Sequence, residues 1–186
     1  MQTAHARLLR HPLAPWSGPA VTLSAVCTRA DDGTGECRFE LSGPLAALVV
    51  PAPAAAARVD GLWRHTCFEL FAGQPGASGY REFNFSPSGE WAAYDFGGYR
   101  APAPPPRLPA PAIRVTLATD ALSLTAVLGA GSWPSPDATL ELGLAAVLEA
   151  GDGTLGYFAL GHPAARPDFH DRRAFALTLA PRARSA

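Results

Sequence analysis

Proline and glycine punctuate this chain too densely to leave room for long helices. Nineteen prolines and eighteen glycines are spread through 186 residues, and each proline removes a backbone donor and fixes its own φ. The stretches between them are short and alternating, the pattern of an all-β sandwich or barrel. Val21, Leu23, Ala25 and Cys27 share one face of their segment, Asp31-Asp32-Gly33 turns the chain, and Cys37, Phe39 and Leu41 share a face of the next. The two segments read as a β-hairpin. Cys67 to Phe71, Tyr80 to Ser86 and Glu90 to Phe96 read as three more strands, the last two joined by Pro87-Ser88-Gly89. A second hairpin runs from Ile113 to Ala126 around Thr119-Asp120. With Leu140 to Leu144, Leu155 to Leu160 and Phe175 to Leu179 the total is about ten strands. Residues 44–60 and 101–111 are rich in proline and alanine and read as long loops. The expectation is one domain over residues 1–186, an antiparallel β-sandwich of jelly-roll type with two packed sheets.

Charge and composition exclude several classes. The net charge is -1, so no basic excess exists to neutralise phosphates and nucleic acid is not the expected partner. All 15 basic residues are arginine, which removes Schiff-base and P-loop lysine chemistry. No run of about 18 apolar residues appears, so no membrane span is expected. Residues 1–15 lack the continuous apolar core of a signal peptide, and a cytoplasmic location is the expectation. Three cysteines, an odd number, fit a reducing compartment. Cys27 and Cys37 fall opposite each other if the hairpin centres on Asp32. A cross-strand disulfide is then geometrically open, although buried free thiols are the expected state.

The strand faces point to a binding surface. Phe83 and Phe85 alternate with Glu82 and Asn84, and Phe68 and Leu70 flank Glu69. Successive side chains of a strand point to opposite faces. Glu69, Glu82 and Asn84 therefore converge on one surface if their strands are neighbours, and Trp91 joins them if Tyr94 and Phe96 point inward. In the strand beginning at Leu140, leucines 140, 142, 144 and 148 pack inward. Glu141, Gly143, Ala145 and Val147 then lie opposite, leaving room over the sheet. Carboxylates, an amide and aromatic walls on a concave surface suit a polyhydroxylated ligand.

Three segments carry a resemblance. Gly61-Leu62-Trp63-Arg64-His65-Thr66-Cys67-Phe68-Glu69-Leu70-Phe71, Tyr80-Arg81-Glu82-Phe83-Asn84-Phe85-Ser86-Pro87-Ser88-Gly89, and Pro167-Asp168-Phe169-His170-Asp171 with Phe175-Ala176-Leu177 resemble the signature segments of family 9 carbohydrate-binding modules. As a whole the chain is similar to the bacterial DOMON-like group. The resemblance implies that Trp63 and Glu69, six residues apart, both touch a sugar, and that Glu82 and Asn84 form a second pair. The family favours arginine where Glu82 stands. It also implies a second stacking aromatic at Phe158, with Tyr157 beside it. Trp91, Tyr99 and Arg100, with His65, His162 and His170, are candidates for the rim.

The expected function is therefore non-catalytic binding of a small carbohydrate or similar polar ligand. Two alternatives come from other classes. Related DOMON domains bind haem, often through methionine and histidine. Here the only methionine is Met1, which leaves bis-histidine ligation. The second alternative is a protein-interaction domain. Asp31, Asp32 and Asp152 are candidate ligands for a structural calcium ion, and no short histidine motif supports zinc or iron. Glu69 and Glu82 are a candidate acid/base pair of the glycosidase type.

Overall fold

The computed structural model describes residues 2–135 and 137–181. Every strand expected from sequence is present, and the described residues form thirteen. In chain order they are β1 (Gln2–Arg10), β2 (Thr22–Arg29), β3 (Gly35–Ser42), β4 (Leu48–Val49), β5 (Cys67–Gly73), β6 (Tyr80–Phe85), β7 (Trp91–Gly98), β8 (Ala101–Pro102), β9 (Ala112–Leu117), β10 (Ala121–Leu128), β11 (Leu140–Ala150), β12 (Leu155–Ala159) and β13 (Leu177–Leu179). The additions are β1, β4 and β8. Of these, β4 and β8 are two-residue pairings within the two proline-rich loops.

All the strand pairings are antiparallel, in the order β8-β7-β6-β5-β11-β12-β1-β2-β3-β10-β9, with β4 and β13 also on β11. β1 joins the two layers. Its residues Gln2 to Leu8 pair with β2, and Leu9 and Arg10 pair with β12. One long sheet thus folds over on itself into a sandwich. The inward faces are those read from alternation. Leu23, Phe39, Leu41, Leu122 and Leu124 of one layer meet Phe68, Leu70, Phe83, Phe85 and the leucines of β11 from the other. Phe39 and Phe68 touch across the layers with ring centroids 5.1 Å apart. Dispersion between such interlocked side chains, added to the removal of apolar surface from water, holds the layers together.

Cys27 faces Cys37 in the β2–β3 register, and the two form a disulfide. This corrects the expectation of free thiols, since direct cross-strand opposition brings the two Cβ atoms within bonding reach. Cys67 is free and buried. No helix among the described residues is long and apolar enough to cross a membrane.

β5 is buried along its whole length, on both faces. One face meets the core, so something must cover the other. The cover is the segment after β12, residues 163–176. Its Phe175 packs with Phe71, Tyr80, Ala145 and Ala159. Gly143 makes this approach possible: a Cβ there would lie 2.9 Å from Phe175 Cδ1 and 3.3 Å from Phe71 Cβ. Arg172 fastens the segment. Its guanidinium donates to the Gln74 carbonyl and to Glu141 Oε2, both at 2.8 Å, and lies 4.8 Å over the Phe175 ring.

Candidate functional site

Between this closing segment and the outer face of β5, β6, β7, β11 and β12 lies a cavity of about 540 Å³. That volume falls in the range of roughly 300–1,000 Å³ typical of small-molecule sites. Register explains its floor. Glu69 pairs with Asn84, and Phe71 pairs with Glu82. Glu69 and Glu82 are therefore diagonal cross-strand neighbours, a placement with Cα atoms about 7–8 Å apart. On the far side of β6, Tyr94 pairs with Glu82 and brings the aromatic face of β7 alongside. Val147 and Tyr157 extend the surface from β11 and β12.

The expected convergence of Glu69, Glu82 and Asn84 is present. Glu69 is 3% exposed and Glu82 5%, and both line the cavity. Asn84 lies beneath them, wholly buried. Its Nδ2 donates to Glu82 Oε1 at 2.5 Å, and its Oδ1 accepts from the Cys67 thiol at 3.5 Å. Asn84 thus aims the Glu82 carboxyl rather than meeting a ligand. Trp63 stands at the mouth, 40% exposed, edge-on to Tyr94 with centroids 5.8 Å apart. The expected room over Ala145 and Gly143 is taken by Phe175, so the open part of the face is the end nearer Val147.

Two expected site residues are displaced. Trp91 is 7% exposed and belongs to the core. β7 carries aromatics on both faces, and the strand turns Trp91 and Ala93 inward and Tyr94 and Phe96 outward. Phe158 is likewise a core residue, and its neighbour Tyr157 lines the cavity. A shift of one residue along a strand exchanges the faces, and both corrections are of that kind. Tyr94, Phe96, Tyr157 and Phe169 are the aromatic walls that result. Tyr94 was signalled by its cross-strand position opposite Glu82, and Tyr157 by alternation with Leu155.

The rim candidates divide. Arg100 and His170 line the cavity. Tyr99 is exposed and donates its hydroxyl to Asp168 Oδ2 at 2.6 Å, supporting the acid that holds Arg100 Nη2 at 3.0 Å through Oδ1. Arg100 sits at φ 50°, in the left-handed region, a conformation that surrounding contacts must hold in place. His65 pairs with Glu149 at 2.8 Å, and His162 meets the Leu9 carbonyl at 2.7 Å. Neither lines the cavity. Of the five histidines only His170 does, so the cavity offers no bis-histidine pair for haem. Asp32 Oδ1 accepts from Thr34, and Asp152 Oδ1 accepts from Thr154 and Ser17. No group of three or more metal-ligating side chains occurs among the described residues.

His170 is held against Tyr80 and Glu82. The Tyr80 hydroxyl accepts from the Arg100 backbone N–H at 3.2 Å and lies 2.8 Å from His170 Nδ1. A hydroxyl has one proton and two acceptor lone pairs, so it can serve Nδ1 of the imidazole in either role. Burial, with the Arg100 charge nearby, pushes the imidazole down to about 4. It is neutral at physiological pH, with Nε2 3.7 Å from Glu82 Oε2. Burial also pushes the Glu82 carboxyl up to about 7, against the opposing effects of the Asn84 hydrogen bond and Arg100. Glu69 is raised well above the ordinary carboxylate range by burial and then by repulsion from Glu82. Burial thus favours the protonated form of both carboxyls, and a floor of this kind offers donors as well as acceptors. A second hollow of about 410 Å³ adjoins the cavity through shared Tyr157 and Pro167.

No protein-family model matches the sequence, and no curated protein matches it. Solved structures do match. A Bacteroides uniformis protein proposed as carbohydrate-binding shares 16% identity at a TM-score of 0.63, over 93% of this chain and 85% of that one. A family 9 carbohydrate-binding module of Caldicellulosiruptor kristjanssonii, in complex with glucose, shares 7% identity at a TM-score of 0.61, over 96% of this chain and 86% of that one. A family 9 module of the same organism in complex with cellotriose gives 7% identity and a TM-score of 0.54, over 82% of this chain and 71% of that one. At these identities the likeness is one of fold: this chain folds as a carbohydrate-binding-module-like β-sandwich.

Proposed function

We propose that the cavity binds a small saccharide without turning it over, in a DOMON-like relative of the carbohydrate-binding modules. The observation that carries this reading is the pairing of Glu69 and Glu82 on the floor with Trp63 and Tyr157 on the walls of one cavity. Carboxyl groups exchange hydrogen bonds with sugar hydroxyls, and ring faces pack on sugar C–H groups. His170 supplies a further hydrogen-bonding group. The adjoining hollow beyond Tyr157 gives a second ring a place to extend. The structural neighbours with glucose and cellotriose bound support the choice of saccharide.

The test is titration with mono- and disaccharides, followed by tryptophan fluorescence and by calorimetry. Of the four tryptophans only Trp63 lines the cavity, so the fluorescence response should disappear in Trp63→Ala while binding heat weakens. Silence across the panel in both assays refutes the reading, as does a fluorescence response unchanged in Trp63→Ala. Glycoside turnover that vanishes in Glu69→Gln overturns its non-catalytic part.

A further inference from the structure

One carboxylate on the cavity floor has no partner. Glu82 receives Asn84 Nδ2, lies near His170 and feels the Arg100 charge. Glu69 is 3% exposed, lines the cavity and makes no hydrogen bond or ion pair among the described residues. The charge that acts on it is Glu82, of like sign. The other groups around it do not supply a countercharge. Cys67 beside it is a buried thiol, and Asn84 opposite is committed to Glu82. Tyr94 and Tyr157 offer only hydroxyls and ring faces. His170 is neutral, Arg100 is engaged by Asp168 at 3.0 Å, and Arg64 is exposed at the mouth.

A buried carboxylate without a counterion keeps its proton or awaits a cation. The walls favour the cation. Ring faces attract ammonium groups through their quadrupoles, most strongly when water is excluded, and Trp63, Tyr94, Phe96 and Tyr157 all line this cavity.

We propose that the cavity takes a ligand bearing a protonated amine, seated against Glu69 between the aromatic walls; on the saccharide reading above, on which this rests, the ligand is an amino sugar. Binding exchanges the proton of the carboxyl pair for the ligand's ammonium. Affinity therefore rises with pH from 5.5 to 7, a range in which the amine stays charged and the carboxyls must lose a proton.

The experiment is calorimetry on the full chain with glucosamine, galactosamine and mannosamine. Each is set against its parent hexose and its N-acetyl derivative, and ethanolamine is included as a sugar-free amine. At least one amino sugar should bind about tenfold or more tighter than both of its neutral counterparts at pH 7 (about 1.4 kcal/mol). Heats that depend on the buffer's ionisation enthalpy should report proton release, and Glu69→Gln should reduce the preference to less than about threefold. If that variant does not fold, the wild-type comparison alone decides. Hexoses that bind as tightly as their amino sugars overturn the amine assignment and leave the saccharide reading standing. Ethanolamine binding with no response to any sugar upholds the amine assignment and refutes the saccharide reading. Silence toward every probe overturns both.

Discussion

Replacing Glu82 by glutamine should stabilise the protein, and only above a defined pH. In the unfolded chain the carboxyl ionises at its ordinary value of 4.5, whereas burial holds it near 7 in the folded one. Between these values the folded state keeps a proton that the unfolded state has released, so stability falls as pH rises through the window. The full penalty is about 3 kcal/mol, reached above pH 7. His170 acts in the opposite sense. Its folded value of about 4 lies below its ordinary 6.5, so over that interval the unfolded state binds the extra proton and stability climbs with pH, again by about 3 kcal/mol. His170 thus offsets Glu82 over this interval, and Glu69, raised in the same sense as Glu82, leaves the wild-type stability falling as pH rises from 4.5. Urea unfolding of wild type and Glu82→Gln across pH 4.5–8 separates them. The glutamine keeps the volume of the side chain and an oxygen for Asn84. The variant should match wild type at pH 4.5, apart from a constant offset, and exceed it by about 3 kcal/mol at pH 8. A difference that does not change with pH, or that grows toward acid, would refute the buried-proton argument for this site.

Three further substitutions test the architecture. Tyr157→Ala should weaken ligand binding while leaving the unfolding midpoint nearly unchanged, whereas its neighbour Phe158→Ala should cost about 3–5 kcal/mol of stability, read by the same urea assay. Gly143→Val places methyl groups where Phe175 and Phe71 already sit; a loss of about 1–3 kcal/mol in thermal or urea unfolding is expected. Arg172→Ala removes the charged hydrogen bonds that fasten residues 163–176. It should accelerate hydrogen exchange in that segment and weaken binding through the displacement of His170, with hydrogen-bonded charges of this kind worth about 1.5–3 kcal/mol.

The strands with a clean two-residue period were legible in the sequence. Thr22–Arg29 and Ala121–Leu128 bury every second residue, and that regularity alone identifies an inward face. The carboxylate pair was legible for the same reason, because Glu69 stands between Phe68 and Leu70 and Glu82 alternates with Phe83 and Phe85. β1 was not, since only Ala4 and Leu8 of its nine residues are buried and alanine carries little hydrophobic signal. Trp91 and Phe158 were misassigned where aromatics occupy both faces, as in Trp91-Ala92-Ala93-Tyr94-Asp95-Phe96 and Tyr157-Phe158; there the pattern has no unique phase. The closing segment lay beyond any periodic reading. Residues 163–176 form only a short 3-10 turn at Arg172–Ala174, and their position depends on Gly143 and Arg172 rather than on alternation.

The seam between β1 and β12 bears on the order in which the protein is built. Leu9 must wait for Ala159, and Arg10 for Phe158, so β1 finds this partner only after the intervening residues 11–157 have been made. Pairings this distant close large loops and fold slowly. The earlier hairpins can form while the chain is still growing, but Tyr157, Phe169 and His170 emerge afterward. A nascent chain will therefore hold its outer sheet face, with both glutamates, open to water until residues 163–176 fold over it. Ligand recognition should appear late and abruptly in refolding, in step with the docking of residues 163–176.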